Sequence, residues 1–501
     1  MSERLHAVEN HCFSQDEQHI ALDVRQNRFF AVSPLKREIL TAVSEAAPAG
    51  VPVQTLHTLL RPSHPDTEIS RALEELSKHG LLLSHPAMPG KVAALAFPAI
   101  THLQLCAAQD CNLRCRYCIV EQGSFGGPRQ RMSREVARQA VDLLLQESGD
   151  AVHCALTFSG GEPMLNWPVI RDAITYSQER AARRGKQVHY FIKTNGTLFD
   201  DENIAFIKEH RIGVKLSLDG PPAVHDRMRP TTSGRGSHDM VIAGLSQLLP
   251  DCAEQVSIRA TLTRTSPPVP ELLEYLTGFG AGDVDMWRVM ATSEDYALDP
   301  AAREQLKVEY TQLARRFLAG APEGDLSAAH SITGYIADFC RGQQRRVYDA
   351  GAEYLVVSAS GGLYPHPEVA EQEEYCLGHV ATGLDRDKSA WWRSYLDVDN
   401  RAVCCDCWAR YICGGGCFSA AIKLQGTTDQ PIEAECDSIR HLIQLAIWVH
   451  LELREKHPQV FLHLLPMFGF DWTAGESLVY GQTARSRGSG CDSGAPRETL
   501  I

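Results

Sequence analysis

A chain of 501 residues, 44% apolar and 22% charged, is long enough for a large core and for two or three domains. Its formal net charge of −13 argues against a general nucleic-acid binder, which needs a dense Lys/Arg surface. The opening "MSERLHAVENHCFSQDEQ" has no charged region leading into an apolar one, and no run of about 18 uninterrupted apolar residues occurs. The expectation is a soluble, cytoplasmic protein without a membrane partner.

Residues 1–95 begin with "HIALDV" and "RFFAV", which read as a β-hairpin around "RQN". Two helical patterns follow. "SPLKREILTAVSEA" offers Ser33 as N-cap before a proline, and "DTEISRALEELSKHG" opens on Asp66 and stops at Gly80, with "LLLS" as a short strand behind it. The pattern is winged-helix-like. The Pro- and Gly-containing "PAMPGKVAALAFPAI" reads as a linker.

From 96 to 325, the apolar runs "THLQLC", "HCALTF", "VHYFIK", "GVKLSL", "VSIRATLT" and "VDMWRV" alternate with amphipathic helical patterns. Six successive β/α units predict an α/β fold with a parallel sheet rolled into a partial (β/α)6 TIM-type barrel, whose site lies at the C-terminal strand ends. From 326 to 455 the alternation stops and cysteine becomes dense, before the helical pattern "CDSIRHLIQLAIWVHLELREKH". Residues 456–501 read as a tail with little to bury.

The sixteen cysteines fall into groups. In a reducing compartment, grouped cysteines bind metal or act in redox chemistry more often than they form disulfides. Cys12, Cys106, Cys154, Cys252 and Cys491 are scattered and read as buried hydrophobes or an exposed tail thiol. The C-x3-C-x2-C loop at Cys111, Cys115 and Cys118 suits a 4Fe-4S cube better than zinc, since three thiolates hold three irons and leave the fourth open.

"CNLRCRYC" resembles the signature of the radical S-adenosylmethionine (SAM) superfamily, with the aromatic Tyr117 before the third cysteine, where the family packs it beside the adenine. "FSGGEP" resembles the family's GGE motif: Gly160 and Gly161 expose backbone, and Glu162 would receive the SAM amino group. "KTNGT", with Asn195, and "SLDG", with Ser217, resemble further SAM-binding strand ends, and Arg259 in "IRATLT" is a partner for the SAM carboxylate. The resemblance implies reductive cleavage of SAM to a 5′-deoxyadenosyl radical that abstracts a hydrogen. It assigns no catalytic base; His225 and Asp226 read as structural.

Cys404, Cys407, Cys413, Cys417 and Cys436 have the spacing of the SPASM extension of radical SAM enzymes that modify peptides and proteins. The resemblance implies an auxiliary 4Fe-4S cluster on Cys404, Cys407, Cys413 and Cys436, with Cys417 reaching to a second one. A four-cysteine zinc site is the alternative. The second auxiliary site would use Cys340, but its "G-x4-C" element reads Gly361 to His366. His366 or Cys376 would have to serve there, so the cofactors are SAM with two clusters, or three if that site is complete.

Sulfatase-maturing relatives place an Asp base after the missing cysteine, where Pro367 stands. "CRYCIVEQGSFGG", "MLNWPVI", "VHDRMRPTTSGRGSHDMV" and "CWARYICGGGC" instead resemble the thioether-forming peptide maturases, including those that mature the small subunit of quinohemoprotein amine dehydrogenase. That resemblance implies as partners a precursor peptide or protein subunit, taken up by the N-terminal domain as an added strand, and a reducing protein such as flavodoxin or ferredoxin. Formylglycine formation and peptide epimerisation are the rivals within the family. An iron-sulfur or zinc regulatory module, or a small-molecule enzyme, are the rivals outside it.

Overall fold

The computed structural model describes residues 4–86, 98–324, 335, 343–347 and 350–464. Cys340, Cys491, most of the linker and the tail from 465 lie outside the described residues. No helix among the described residues is long and apolar enough to cross a membrane.

The N-terminal region builds two small sheets. In one, β1 (Arg4–Ala7) pairs antiparallel with β5 (Val51–Pro52) and β6 (Leu82–Leu83); in the other, β2 (Asn10–Gln15), β3 (Gln18–Asp23) and β4 (Arg28–Val32) form an antiparallel meander. The β3–β4 hairpin is the one expected, with Asn27 at φ +49° in its turn. β2 was not expected. Helix Pro34–Glu45 starts as the sequence predicts, Ser33 accepting from the Lys36 amide (3.4 Å), and packs with Val53–Leu60 and Asp66–Lys78 over Leu5, Ile39, Leu56 and Ile69.

The barrel strands are β7 (His102–Gln109), β9 (His153–Gly160), β10 (Gln187–Thr194), β11 (Gly213–Ser217), β12 (Val256–Leu262) and β13 (Asp283–Arg288). They are parallel and adjacent in sequence order, as six β/α units demand. β8 (Gln130–Arg131) pairs with the end of β7. The sheet continues beyond β7 into the cysteine-rich region: β14 (Tyr354–Val357) adds in parallel, followed by antiparallel β15 (Gly362–Tyr364), β16 (Gly378–His379) and β17 (Gly383–Leu384).

Strand alternation separates two surfaces. Leu105, Leu156, Phe158, Ile192, Leu216 and Ile258 face the outer helices and form the core. In the opposite register stand Gln104, Thr157, Lys193, Lys215, Ser257 and Asp285. They bond one another: Lys193 Nζ reaches Gln104 Oε1 (2.9 Å), Gln104 Nε2 donates to Ser159 Oγ (2.7 Å), and Lys215 pairs with Asp285 (3.1 Å). The lining is thus polar, unlike the apolar layers that fill a closed barrel.

Candidate active site at the C-terminal strand ends

The loop after β7 carries Cys111, Cys115 and Cys118, whose thiols lie within electrostatic reach of one another. Burial pushes Cys111 up to about 12 and Cys115 up to about 11, so free thiols stay protonated here and would need a positive group to ionise. Two sulfurs already face amides. Leu113 N is 3.4 Å and Asn195 Nδ2 3.8 Å from Cys111 Sγ, and Gln122 N is 3.1 Å from Cys118 Sγ. Three partly buried thiols on one loop, two of them with N–H groups aimed at the sulfur, fit an iron-sulfur group.

Gly160 and Gly161 allow a close approach, but it is between protein backbones. A Cβ on Gly161 would stand 2.3 Å from the Asp110 carbonyl oxygen, and one on Gly160 would stand 2.2 Å from that of Ala108. The amides of Gly161 and Glu162 donate to those same two carbonyls at 2.8 Å. The motif therefore fastens the end of β9 to the root of the cysteine loop.

Glu162, the residue expected to receive the SAM amino group, is held by the protein itself. It has no exposed surface, and its carboxylate accepts from Met164 N (3.0 Å), Thr194 Oγ1 (2.8 Å) and Asn195 N (2.7 Å). Burial, opposed by those three bonds, raises it to about 7. Asn195 relays the brace: its Nδ2 donates to Asn112 Oδ1 (2.9 Å) inside the cysteine loop.

Tyr117 and Ser217 stand at the same end. The Tyr117 hydroxyl donates to Asp219 (2.5 Å), and Asp219 holds Arg229. Sequence reasoning missed Asp219 and Arg229, although "SLDG" and "HDRMRP" contain them. His225 and Asp226 are structural: His225 bonds Ser237 Oγ (3.0 Å), and Asp226 accepts from the amides of Ser237 and His238 (both 2.8 Å).

Arg259, paired in register with Ser217, lies over the Trp287 ring at 4.4 Å, and its charge acts on His366 and Glu368. His366 is buried. Burial first, then the charges of Lys193 and Arg259, lowers it to about 3, so the imidazole is neutral, the form that ligates metals. Its Nδ1 accepts from Glu368 N (3.4 Å). Glu368 also accepts from Ser419 Oγ (2.7 Å), which lies 3.2 Å from Cys417 Sγ. Cys376 packs with Tyr364 and Phe125, its thiol donating to the Gly378 carbonyl (3.2 Å).

Cys404, Cys407 and Cys413 come together within electrostatic reach, and Cys436, in the first turn of helix Glu433–Lys456, joins Cys404 and Cys413. Glu435 beside it is gripped by Arg288 (2.9 Å) and Arg303, which ties that turn to the barrel. Cys405 donates to the Ala402 carbonyl (3.3 Å). Among the described residues no three His, Cys, Asp or Glu side chains converge closely enough to hold one ion.

Fold and site together define an open β/α barrel with a thiol-bearing loop at its C-terminal strand ends. Residues 107–246 match the Radical SAM superfamily. It is 29% identical over 184 residues to an uncharacterized protein of Methanocaldococcus jannaschii, covering 36% of this chain and 60% of that one. It is 30% identical over 150 residues to a cysteine-type anaerobic sulfatase-maturating enzyme of Clostridium novyi, covering 28% and 38%. The chain thus spans less than two thirds of either relative. The solved structure of native anSMEcpe with bound AdoMet and Cp18Cys peptide superposes with a TM-score of 0.57 at 19% identity, over 73% of this chain and 99% of that one.

Proposed function

We propose that this protein is a radical SAM enzyme that modifies a ribosomally made peptide or protein, forming a thioether or carbon-carbon crosslink. The observation that carries the reading is the three-cysteine loop fastened to the ends of β9, β10 and β11. A 4Fe-4S cluster and SAM, when bound there, would supply hydrogen-abstracting radical chemistry. Cys111, Cys115 and Cys118 would hold the cluster; Glu162 and Asn195 fix the loop and, with Gly160, Gly161, Ser217, Tyr117 and Arg259, would bind SAM. Cys404, Cys407, Cys413 and Cys436 would hold an auxiliary cluster. Cys417, with His366 or Cys376, is the described candidate set for a further one.

A peptide substrate is supported by the polar lining, which offers hydrogen bonds to main chain and side chains, and by the peptide held in the anSMEcpe structure. The edge of the β2–β3–β4 meander is the candidate for leader uptake as an added strand. Sulfatase-type maturation is the second reading, favoured by the sulfatase-maturating relatives and opposed by Pro367 at the position of the expected Asp base.

Anaerobically reconstituted protein should release 5′-deoxyadenosine from SAM, and Cys115→Ala should abolish that release; retained cleavage by the variant would sink the proposal. Fragmentation mass spectrometry of a peptide encoded beside the gene separates the products. A crosslink removes two hydrogens, whereas epimerisation leaves the mass unchanged.

A further inference from the structure

The segment Met228–Thr232, which leaves helix Pro222–Met228, runs as a strap along the cysteine loop. Arg116 N donates to the Met228 carbonyl (2.9 Å) and Arg114 N to that of Pro230 (2.7 Å), on either side of Cys115. Thr232 N donates to the Asn112 carbonyl (3.2 Å), and Leu113 and Thr231 form an antiparallel bridge.

Arg229 turns inward from this strap. It grips Asp219 with two bonds, Nε to Oδ2 at 2.9 Å and Nη2 to Oδ1 at 3.2 Å, and lies 5.3 Å from the Tyr117 ring centroid. Asp219 also takes Thr261 N (2.9 Å), so one carboxylate joins the strap, the cysteine loop and β12. Asp219 is 1% exposed and Arg229 8%. Burying such a pair costs several kcal/mol per ion in desolvation, so stability alone is weak grounds for its presence.

The charge has a second target. Met228 and Pro230, the neighbours of Arg229 in the strap, take the amides on either side of Cys115, so the guanidinium and its Asp219 partner are buried against the turn that carries this thiol. Cys111 and Cys118 receive amide N–H groups from Leu113 and Gln122, whereas the buried charge of Arg229 stands on the strap that flanks Cys115.

We propose that Arg229 is a positioning residue that sets the reduction potential of the group held by Cys111, Cys115 and Cys118, with Asp219 as its counterweight. The inference rests on the radical SAM reading. In a low-dielectric site a fixed positive charge favours the reduced, more negative state, and a fixed negative charge disfavours it.

The test is a potentiometric titration of the anaerobically reconstituted full chain with dithionite, followed by electron paramagnetic resonance. Arg229→Gln should shift the potential of the SAM-site cluster downward, Asp219→Asn should shift it upward, and Arg229→Lys should stay near wild type. A role confined to packing would not give shifts of opposite sign. Unchanged potentials, or shifts of one sign in both variants, overturn the inference. If Arg229→Gln fails to hold iron, Arg229→Lys and Asp219→Asn decide it: an Asp219→Asn potential at or below wild type overturns it. A wild-type chain that takes up no cluster would instead overturn the radical SAM reading.

Discussion

Glu162 accepts three hydrogen bonds with no exposed surface, which makes the acid of the GGE motif a brace between strand ends. In Glu162→Gln one oxygen, which can still accept in the neutral acid, becomes an NH2 that cannot, so a buried N–H or O–H loses its acceptor at about 1–3 kcal/mol. The effect is pH-dependent. The folded carboxyl, raised to about 7, binds its proton more tightly than the unfolded chain does at 4.5. Stability from this group is therefore full below about 4.5 and is lost as pH rises through about 7. Thermal melts of iron-free protein should show Glu162→Gln below wild type at pH 5, with the gap narrowing at pH 8. The cysteine spacing of the first loop was legible in the sequence because thiols on one loop are close along the chain. Asp219 was not, since its partners Tyr117, Arg229 and Thr261 come from three separate segments.

At the scale of elements, the glycine pair and the loop beyond the third cysteine interlock. The Cβ of Gly161→Ala would meet the Asp110 carbonyl oxygen at 2.3 Å and the Gly123 Cα at 2.8 Å, both backbone atoms that cannot swing aside. The loop would have to lift from β9, and Cys111 moves with Asp110. If Cys111, Cys115 and Cys118 hold the cluster proposed for them, Gly161→Ala should therefore lose most of that cluster's iron on reconstitution. Gly234→Ala, at φ +81° with nothing within 4 Å of its Cβ, should bear backbone strain alone and keep the iron; iron and sulfide assays check both. The six barrel strands were legible because apolar runs alternate with helical periods. β14 to β17 were not, because runs of two to four residues among glycines carry too little pattern. β2 was missed because "NHCFSQ" is largely polar.

Across the whole molecule, the N-terminal meander docks on the C-terminal helix through two histidines that the domain boundaries alone did not reveal. His11 stacks on Trp408 (4.1 Å, 2°) and bonds Gln444 (3.2 Å); His450 lies edge-on between Phe29 (5.0 Å) and Phe461 (4.8 Å). Glu9 pairs with Arg410 (2.6 Å), and Asn27 Nδ2 donates to the Tyr411 carbonyl (3.1 Å). Burial lowers His11 to about 4, and burial with the Arg454 charge lowers His450 to about 3, so both rings are neutral when docked. An undocked ring returns toward 6.5 and takes up a proton more readily. Docking strength is thus present above about pH 6.5 and is lost as pH falls toward 4. At pH 5, which is 1.5 units below 6.5, His450 would contribute at most about 2 kcal/mol of this loss, because Phe461 and Arg454 stay beside it when the meander leaves, and the less buried His11 would add less. Hydrogen exchange, corrected for intrinsic rate, should show β2 to β4 losing protection between pH 7.5 and 5. His450→Leu, which cannot charge, should keep more of that protection at pH 5 than wild type does. Equal losses in the two proteins would show that the meander is held by its ion pair and main-chain bonds, independent of the buried imidazole.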